Sequence, residues 1–400
     1  MKIAYVVPYV PNQIRTRSYN LISSLTELGH EVDVFTVGSS DADRRDAELL
    51  KVRCVYYEHQ PLWRSLFHSA LAVPSNRPLQ SVYSWNPKLA AQLKTLLSNY
   101  DVLQVEHLRG AAYGTFIKSQ FPSMPVVWDS VDCISYLFKQ ASRHSGSLFG
   151  KLMTRFELGR TRNAEGRLLG AFDHVLVTSA TDKKALLDIV PPGVKPAPVM
   201  VLSNGVDQEY FRLNPEIERD PDTLVFSGKM SYHANVSMVM YLLNEIMPRL
   251  WAKRPSVRLV VVGKDPPASI RKLADASRVI VTGTVEDIRP YLWSAVGALA
   301  PLVYGAGVQN KILEAMATGT PVITNSKVLA SLSVTPGNEL LVADSADEFA
   351  QSALKLIEDP ILQKNVGKAA LDYVRRHHTW RESARKMVEI YESLLPSMPG

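Results

Sequence analysis

Two stretches carry residue types that could handle a phosphorylated ligand. The first covers residues 301–325, PLVYGAGVQNKILEAMATGTPVITN. It reads as a strand end, a glycine loop through Gly305, Ala306 and Gly307, a short helix over about 308–317, and a buried strand over 321–324. Glycines let a backbone turn tightly and approach a ligand closely. The helix start that follows, at Gly307, Val308, Gln309 and Asn310, offers unpaired N–H groups and partial positive charge, which suits an anion. Lys311 falls in the first turn and Glu314 three residues later, so both share one helix face. The lysine could hold a phosphate, and the carboxylate one turn deeper could accept bonds from ribose hydroxyls. That is the chemistry of a nucleoside-diphosphate seat. On the residues alone, a buried crossover helix with an ordinary i,i+3 pair stays open.

The second stretch, FSGKMSYHANVS over 226–237, ends a strand at Gly228 and Lys229 and opens a helix near Asn235. Lys229 and Lys311 together could neutralise a departing diphosphate without a metal. Asp41/Asp43 and Asp220/Asp222 have the Asp-x-Asp spacing of a cation-holding pair, but both lie in polar loops away from the glycine loop and read as turn residues. No metal and no cofactor are expected. In the first half, the turn PYVPNQIRTRS places Arg15 and Arg17 where they could reach a phosphate. Strand ends there present Glu106 with His107, and Asp129 with Asp132. Glu106 or His107 could orient an acceptor hydroxyl or meet a transferred sugar, and Asp129 is a candidate acceptor contact. Each has a plain structural alternative.

These residues need a scaffold of alternating strands and helices. Apolar runs predict strands at 2–7, 31–35, 53–57, 102–106, 126–128 and 174–178, and again at 224–227, 258–262, 279–282, 298–301 and 322–324. A helix over 17–28, ending at Gly29, makes the opening a βαβ unit. In the second half Val239, Leu242, Leu243, Ile246 and Leu250 form one apolar helical stripe. Met387, Ile390, Tyr391 and Leu394 form another. The first turn lacks any glycine, so the dinucleotide fingerprint is missing and a nicotinamide dehydrogenase is disfavoured. Asn204, Gly205 and Asp207 mark a linker of defined geometry between two halves.

Four hundred residues fit two domains of roughly 200 each. The two cysteines, Cys54 and Cys133, are far apart and lack metal-ligand spacing, so a reducing cytosol is the default. The apolar start, Ile3 to Val10, contains Pro8 and reads as a strand and loop, not a signal peptide. No run approaches the length of a transmembrane helix. Residues 1–203 hold 23 Lys and Arg against 17 Asp and Glu, whereas 204–400 hold 22 of each. Seven bases against two acids crowd 139–167, a patch that could attract anionic lipid, or be a solvated helix face. No recognised nucleic-acid module accompanies the charge, so a nucleic-acid partner is not expected.

The run GVQNKILEAMATGTPVI resembles the signature helix of family 4 glycosyltransferases of the GT-B fold. NGVD followed by Phe211 resembles the interdomain motif of the same family, and the Gly228–Lys229 turn resembles its basic strand-end position. The family's motif carries a second Glu where this chain has Ala306, and a second Lys near Asn235. Gly307, Gln309, Asn310 and Lys311, with the IRxRxxN-like run, look more like a subgroup linked to exopolysaccharide clusters. The resemblance implies two Rossmann-like doubly wound domains facing a cleft. An acceptor-side domain would cover 1–203, with the helix of about 380–400 packing back on it, and a donor domain would cover 204–379. It implies transfer of a sugar from a nucleoside-diphosphate sugar to a saccharide or lipid-linked acceptor, with retention. Lys229, Lys311 and the amides at 307–309 would stabilise the diphosphate, and Glu314 would hold the ribose. Gly283, Thr284 and Val285 would receive the base through backbone contacts. The expected location is the cytoplasm, at the inner face of a membrane touched through 139–167. A GT-B sugar-nucleotide epimerase and a non-catalytic sugar-nucleotide binder are the alternatives.

Overall fold

The computed structural model describes residues 1–12, 15–144, 148–275, 277–303 and 309–396, leaving out the side chains of 141–154. The chain divides into two units, Met1–Ser203 with Trp380–Gly400, and Asn204–Thr379.

In unit 1, β1 (Lys2–Val7), β2 (Glu31–Gly38), β3 (Cys54–His59), β4 (Val102–Glu106), β5 (Val126–Val131), β6 (His174–Val177) and β7 (Val199–Val201) form one sheet, ordered β3-β2-β1-β4-β5-β6-β7. All its ladders are parallel, with Ile3 opposite Val32 on one side and Val102 on the other. Helices cover both faces of such a sheet, so its central strands are buried on both sides and mostly apolar, with Gln104 and Glu106 in β4 and Asp129 and Ser130 in β5 as buried polar exceptions. Between strands run α1 (Thr16–Glu27), α2 (Asp41–Glu48), α3 (Leu62–Ala72), α4 (Leu79–Tyr83), α5 (His107–Gln120), α6 (Ile134–His144) and α7 (Leu148–Leu168).

Unit 2 repeats the plan with β8 (Asp220–Ser227), β9 (Arg258–Val262), β10 (Val279–Gly283), β11 (Ala295–Ala300), β12 (Val322–Thr324) and β13 (Leu341–Val342), ordered β10-β9-β8-β11-β12-β13 and again parallel. Its helices include α8 (His233–Tyr241), α9 (Arg289–Ser294), α10 (Asn310–Ala317) and α11 (Pro360–His377). Beyond α8 the helix continues through a π turn, Leu242–Ile246, into Met247–Trp251. Pro248 lacks the N–H that a regular turn needs there, and the wider turn accommodates it. The apolar stripe from Val239 to Leu250 is buried.

After unit 2 the chain returns to unit 1 as α12 (Trp380–Leu394). Trp380, Ala384, Met387, Ile390 and Tyr391 join Leu21, Ile22 and Leu25 of α1 in the core on one face of the sheet. The Tyr391 hydroxyl donates to Gln104 Oε1 of β4 at 3.0 Å. Strand order reverses between β1 and β4 in unit 1 and between β8 and β11 in unit 2. In open parallel sheets the crevice beyond the carboxyl ends of such strands is where ligands bind.

Candidate functional site

The unit 2 site begins where β8 stops. Gly228 has φ +152°, and a Cβ there would lie 2.7 Å from Asn235 Nδ2 and 3.3 Å from Lys311 Nζ. The bare glycine therefore lets side chains from α8 and α10 meet over the strand end. Asn235, buried near the start of α8, donates Nδ2 to the Lys229 carbonyl at 2.8 Å and accepts at Oδ1 from Lys311 Nζ. The Lys311 ammonium also lies 4.4 Å from the Phe226 ring centroid and 3.7 Å from Met238 Sδ. These partners are all neutral. Burial pushes the Lys311 pKa down to about 7, and Glu314 opposes that shift. Burial pushes Glu314 up to about 7, opposed by Lys311. Lys229 is exposed beside them.

The helix carrying Lys311 starts at Asn310 with Gln309 as its N-cap, two residues later than the sequence reading. Gly305, Ala306, Gly307 and Val308 lie outside the described residues. Asn310 Oδ1 accepts from Asn204 Nδ2 at 2.9 Å, so the first residue of NGVD contacts the first turn of α10. His378 braces the same segment, through Nδ1 to the Asn204 carbonyl and its own carbonyl to Val206 N. Gly283, φ +71°, ends β10. Thr284 is exposed, and Val285 packs on the core. Arg289, a few residues on, pairs with Asp287 at 2.7 Å, stacks over Tyr210 at 4.1 Å and donates to the Tyr210 carbonyl. It thereby ties the 283–289 segment to the stretch after NGVD.

In unit 1 two expectations are corrected. Arg17 and Asp129 are both buried and pair with each other, Nε to Oδ2 at 2.8 Å, while Arg17 Nη1 donates to the Leu202 carbonyl. Neither presents itself to a phosphate or an acceptor. The reason is strand length: β5 runs on to Val131, so Asp129 lies inside the strand and not at its end. Its other carboxylate oxygen accepts from Val131 N at 3.0 Å, at an irregularity in the ladder.

Glu106, which ends β4, is also fully buried and accepts from the hydroxyls of Tyr5, at 3.2 Å, and Tyr9. Desolvation and then Asp129 push its pKa up to about 7. The tyrosines occupy the carboxylate that the sequence offered to an acceptor. His107 opens α5 with φ 63°, a left-handed conformation unusual for a non-glycine residue. Its carbonyl accepts from Trp128 Nε1 at 3.3 Å. Its Nδ1 is buried without a hydrogen-bond partner among the described residues. Burial and then Arg109 hold its pKa down at about 4, so the ring is neutral. Arg15 stacks over Tyr9 at 4.8 Å and donates Nη1 to the Val10 carbonyl. Arg109, passed over in the sequence, lies 5.1 Å from the Tyr83 ring centroid, its Nε buried without a hydrogen bond among the described residues. Its position two residues after His107 in the first turn of α5 is the signal that could have found it.

The Asp-x-Asp pairs have structural duties. Asp43 closes a capping box with Ser40 at the start of α2. Asp220 pairs with Arg258, and Asp222 with Arg254 at 2.7 Å. Among the described residues no group of three or more His, Cys, Asp or Glu is placed to hold a metal ion.

Two parallel-sheet Rossmann-like units, each with polar residues gathered where its strand order reverses, define the architecture of GT-B transferases. Solved relatives of this shape include Anabaena HepE in complex with UDP and glucose, which matches with a TM-score of 0.69 at 15% identity, covering 98% of this chain and 100% of that one. The Glycosyltransferase Family 4 model matches residues 14–210, and the model described as Glycosyl transferases group 1 matches 221–359. The chain belongs to the family 4 glycosyltransferases. The phosphatidyl-myo-inositol mannosyltransferase of Mycolicibacterium smegmatis is 22% identical, over 98% of this chain and 94% of its own. An uncharacterised 44.6 kDa protein in the cps region of Klebsiella pneumoniae is 20% identical, over 88% and 89%.

Proposed function

We propose that this glycosyltransferase moves a sugar from a nucleoside-diphosphate sugar to a saccharide or lipid-linked acceptor, with retention, in cell-surface or exopolysaccharide synthesis. The observation that carries this reading is the meeting of Gly228, Asn235 and Lys311 at the strand-order reversal of unit 2. Lys311 makes its direct contacts with neutral groups and has Glu314 as the acid acting on it, and a diphosphate supplies a further anion. Asn235 fixes the ammonium and ties it to the glycine turn, with exposed Lys229 as a second cation. Glu314, one turn deeper on the same face, holds the ribose. The turn at Gly283–Val285 receives the base through its backbone.

On the acceptor side the neutral imidazole of His107 is the group placed to bond a hydroxyl, with Arg15 and Arg109 nearby for an anionic acceptor. Glu106 acts through Tyr5 and Tyr9 as a positioning residue. In the reaction the bond from the anomeric carbon to the diphosphate oxygen breaks. The acceptor oxygen bonds to that carbon on the same face, and its proton passes to the departing phosphate. The two lysines do the charge neutralisation that a cation does elsewhere, so the reaction runs without a metal. The cps-region relative supports an exopolysaccharide role, and the mannosyltransferase relative, by its name, acts on a phosphoinositide. The basic residues of 139–167, of which Lys139, Arg155, Arg162 and Arg167 are exposed, draw unit 1 to an anionic membrane.

The test is a panel of nucleotide sugars scored by thermal stabilisation, then by nucleoside-diphosphate release with saccharide and lipid acceptors. Lys311→Ala lowers turnover by at least about tenfold, and turnover at the normal rate in that variant overturns the assignment. Chelation with EDTA leaves turnover unchanged, and a loss restored by a divalent cation overturns the metal-free step. Conversion of a donor sugar without nucleotide release and without acceptor identifies an epimerase instead.

A further inference from the structure

Helix α3 is built inside out. On a wheel of about 100° per residue, Leu62, Leu66, Ala70, Trp63, Phe67 and Leu71 fall within one half-turn arc. Arg64, His68, Ser65, Ala72 and Ser69 fill the other. A helix on a globular surface ordinarily turns its apolar arc inward. Here Ser65 and Ala72 are the buried positions, and Leu62, Trp63, Leu66, Phe67 and Leu71 are each more than half exposed. The polar inner side has its own bonds: Gln60 Nε2 reaches Ser65 Oγ at 3.3 Å, and Ser69 Oγ donates to the Ser65 carbonyl at 2.9 Å. The outward apolar row is therefore fixed by the packing beneath it. A contiguous exposed apolar face of this kind marks an interaction surface.

The charges around the row choose the partner. From His59 to Tyr100 the chain has no Asp or Glu, and it carries Arg64, Arg77, Lys88 and Lys94. The carboxyl end of α3 is held by α7: Arg160 donates to the Ala72 carbonyl at 3.4 Å and to the Val73 carbonyl at 2.5 Å. The same guanidinium stacks 3.9 Å over Phe156, which is itself substantially exposed. Glu157, the neighbouring acid, is buried and accepts from Leu79 N, so it adds no repulsion at the surface. An apolar arc with a tryptophan, with Arg64 on its own helix, Arg160 at its carboxyl end and no acid within it, matches an anionic bilayer, where rings lie at headgroup depth and basic groups meet phosphates.

We infer that α3 inserts its Leu62–Trp63–Leu66–Phe67–Leu71 face into the headgroup boundary of an anionic membrane, with Arg160 of α7 beside it. This rests on the reading that unit 1 meets such a membrane. It adds that the anchor is apolar and lies in α3, outside the basic patch of 139–167.

The experiment is co-sedimentation of the full chain with phosphatidylcholine vesicles, with and without phosphatidylglycerol, at low and high salt. Three proteins are compared: wild type, Leu66→Ser/Phe67→Ser, and Arg155→Glu/Arg162→Glu. All four positions are exposed or bordered by solvent, and matching circular dichroism melts verify that each variant folds. Wild type binds phosphatidylglycerol vesicles and keeps a salt-resistant fraction. The α3 variant loses that fraction and binds at least tenfold more weakly. The α7 variant loses the salt-sensitive part. Equal binding by the α3 variant and wild type overturns the α3 anchor while leaving membrane contact intact. No binding by wild type overturns both. A wild-type dimer in solution that the α3 changes dissociate overturns the lipid assignment in favour of self-association. Trp63 supplies an independent readout: brominated lipid quenches wild-type fluorescence more than that of Trp63→Phe, and equal quenching counts against insertion.

Discussion

Lys311 illustrates how a residue's surroundings set its chemistry. An ammonium held by an amide oxygen, a thioether and a ring face has its pKa pushed down by burial to about 7, opposed by Glu314, so a bound diphosphate favours the charge that burial disfavours. Binding of the nucleoside diphosphate must then take up a proton above that pH. Its affinity falls as pH rises through about 7, approaching about tenfold per pH unit, and Lys311→Met flattens the slope. Calorimetry in buffers of different ionisation enthalpy checks both. Glu106 works with the opposite sign. Its folded pKa of about 7 exceeds the ordinary 4.5, so the native state binds the proton more tightly than the unfolded chain. Stability from this group is complete below about 4.5 and is lost as pH rises to about 7; Glu106→Gln removes that dependence from the melting curve. Arg17 is a third case. Replacing it by Met leaves the Asp129 carboxylate buried without its cation, a loss of roughly 3–5 kcal/mol in denaturant unfolding. At this scale the sequence named Lys311, Glu314, Asn235 and Gly228, because glycine and cation spacing around strand ends is a local pattern. It did not foresee that Arg17 and Asp129 neutralise each other, since 112 residues separate them. Nor did it foresee the tyrosines around Glu106, which come from a different strand and loop.

The strand ends of unit 2 depend on two glycines that answer differently to a methyl group. At Gly263, φ +150°, a Cβ would lie 1.9 Å from the Gly228 carbonyl oxygen, which is backbone and cannot step aside. At Gly228 the nearest obstacle is the Asn235 amide, a side chain that can rotate. Gly263→Ala is thus expected to unfold unit 2 or shift its melt by many degrees, whereas Gly228→Ala folds with nucleotide affinity reduced by at least about tenfold through displaced Asn235 and Lys311. Thermal melts and nucleotide titrations separate the two. Strands β4, β9 and β12 were legible residue for residue, since strands buried on both faces are rich in Val, Ile and Leu even where, as in β4, Gln104 and Glu106 interrupt the run. Strands β7 and β13 were not, being only three and two residues long. Helix α3 escaped for a different reason: its periodicity is ordinary, and only the structure reveals that the apolar arc faces out.

At the scale of the whole molecule, unit 1 is assembled from two separated pieces of chain. Helix α12 contributes Trp380, Ala384, Met387, Ile390 and Tyr391 to the same core as α1. Tyr391→Phe forfeits the bond to Gln104 at a cost of about 1 kcal/mol. Ending the chain at Thr379 removes these five residues from that core and is expected to leave unit 1 protease-sensitive while 204–379 stays resistant, which limited proteolysis checks. The apolar stripe of α12 was visible in the sequence, but the identity of the surface it covers depends on topology that no local pattern encodes.

That split has a temporal side. A ribosome emits residues 204–379 as one continuous piece, so the second unit has its entire chain in hand before the first has received α12. The portion made earliest must therefore wait, with the α1 side of its sheet only partly covered, until the portion made afterwards is finished. A nascent chain stalled before Trp380 should be the form that trigger-type chaperones hold longest.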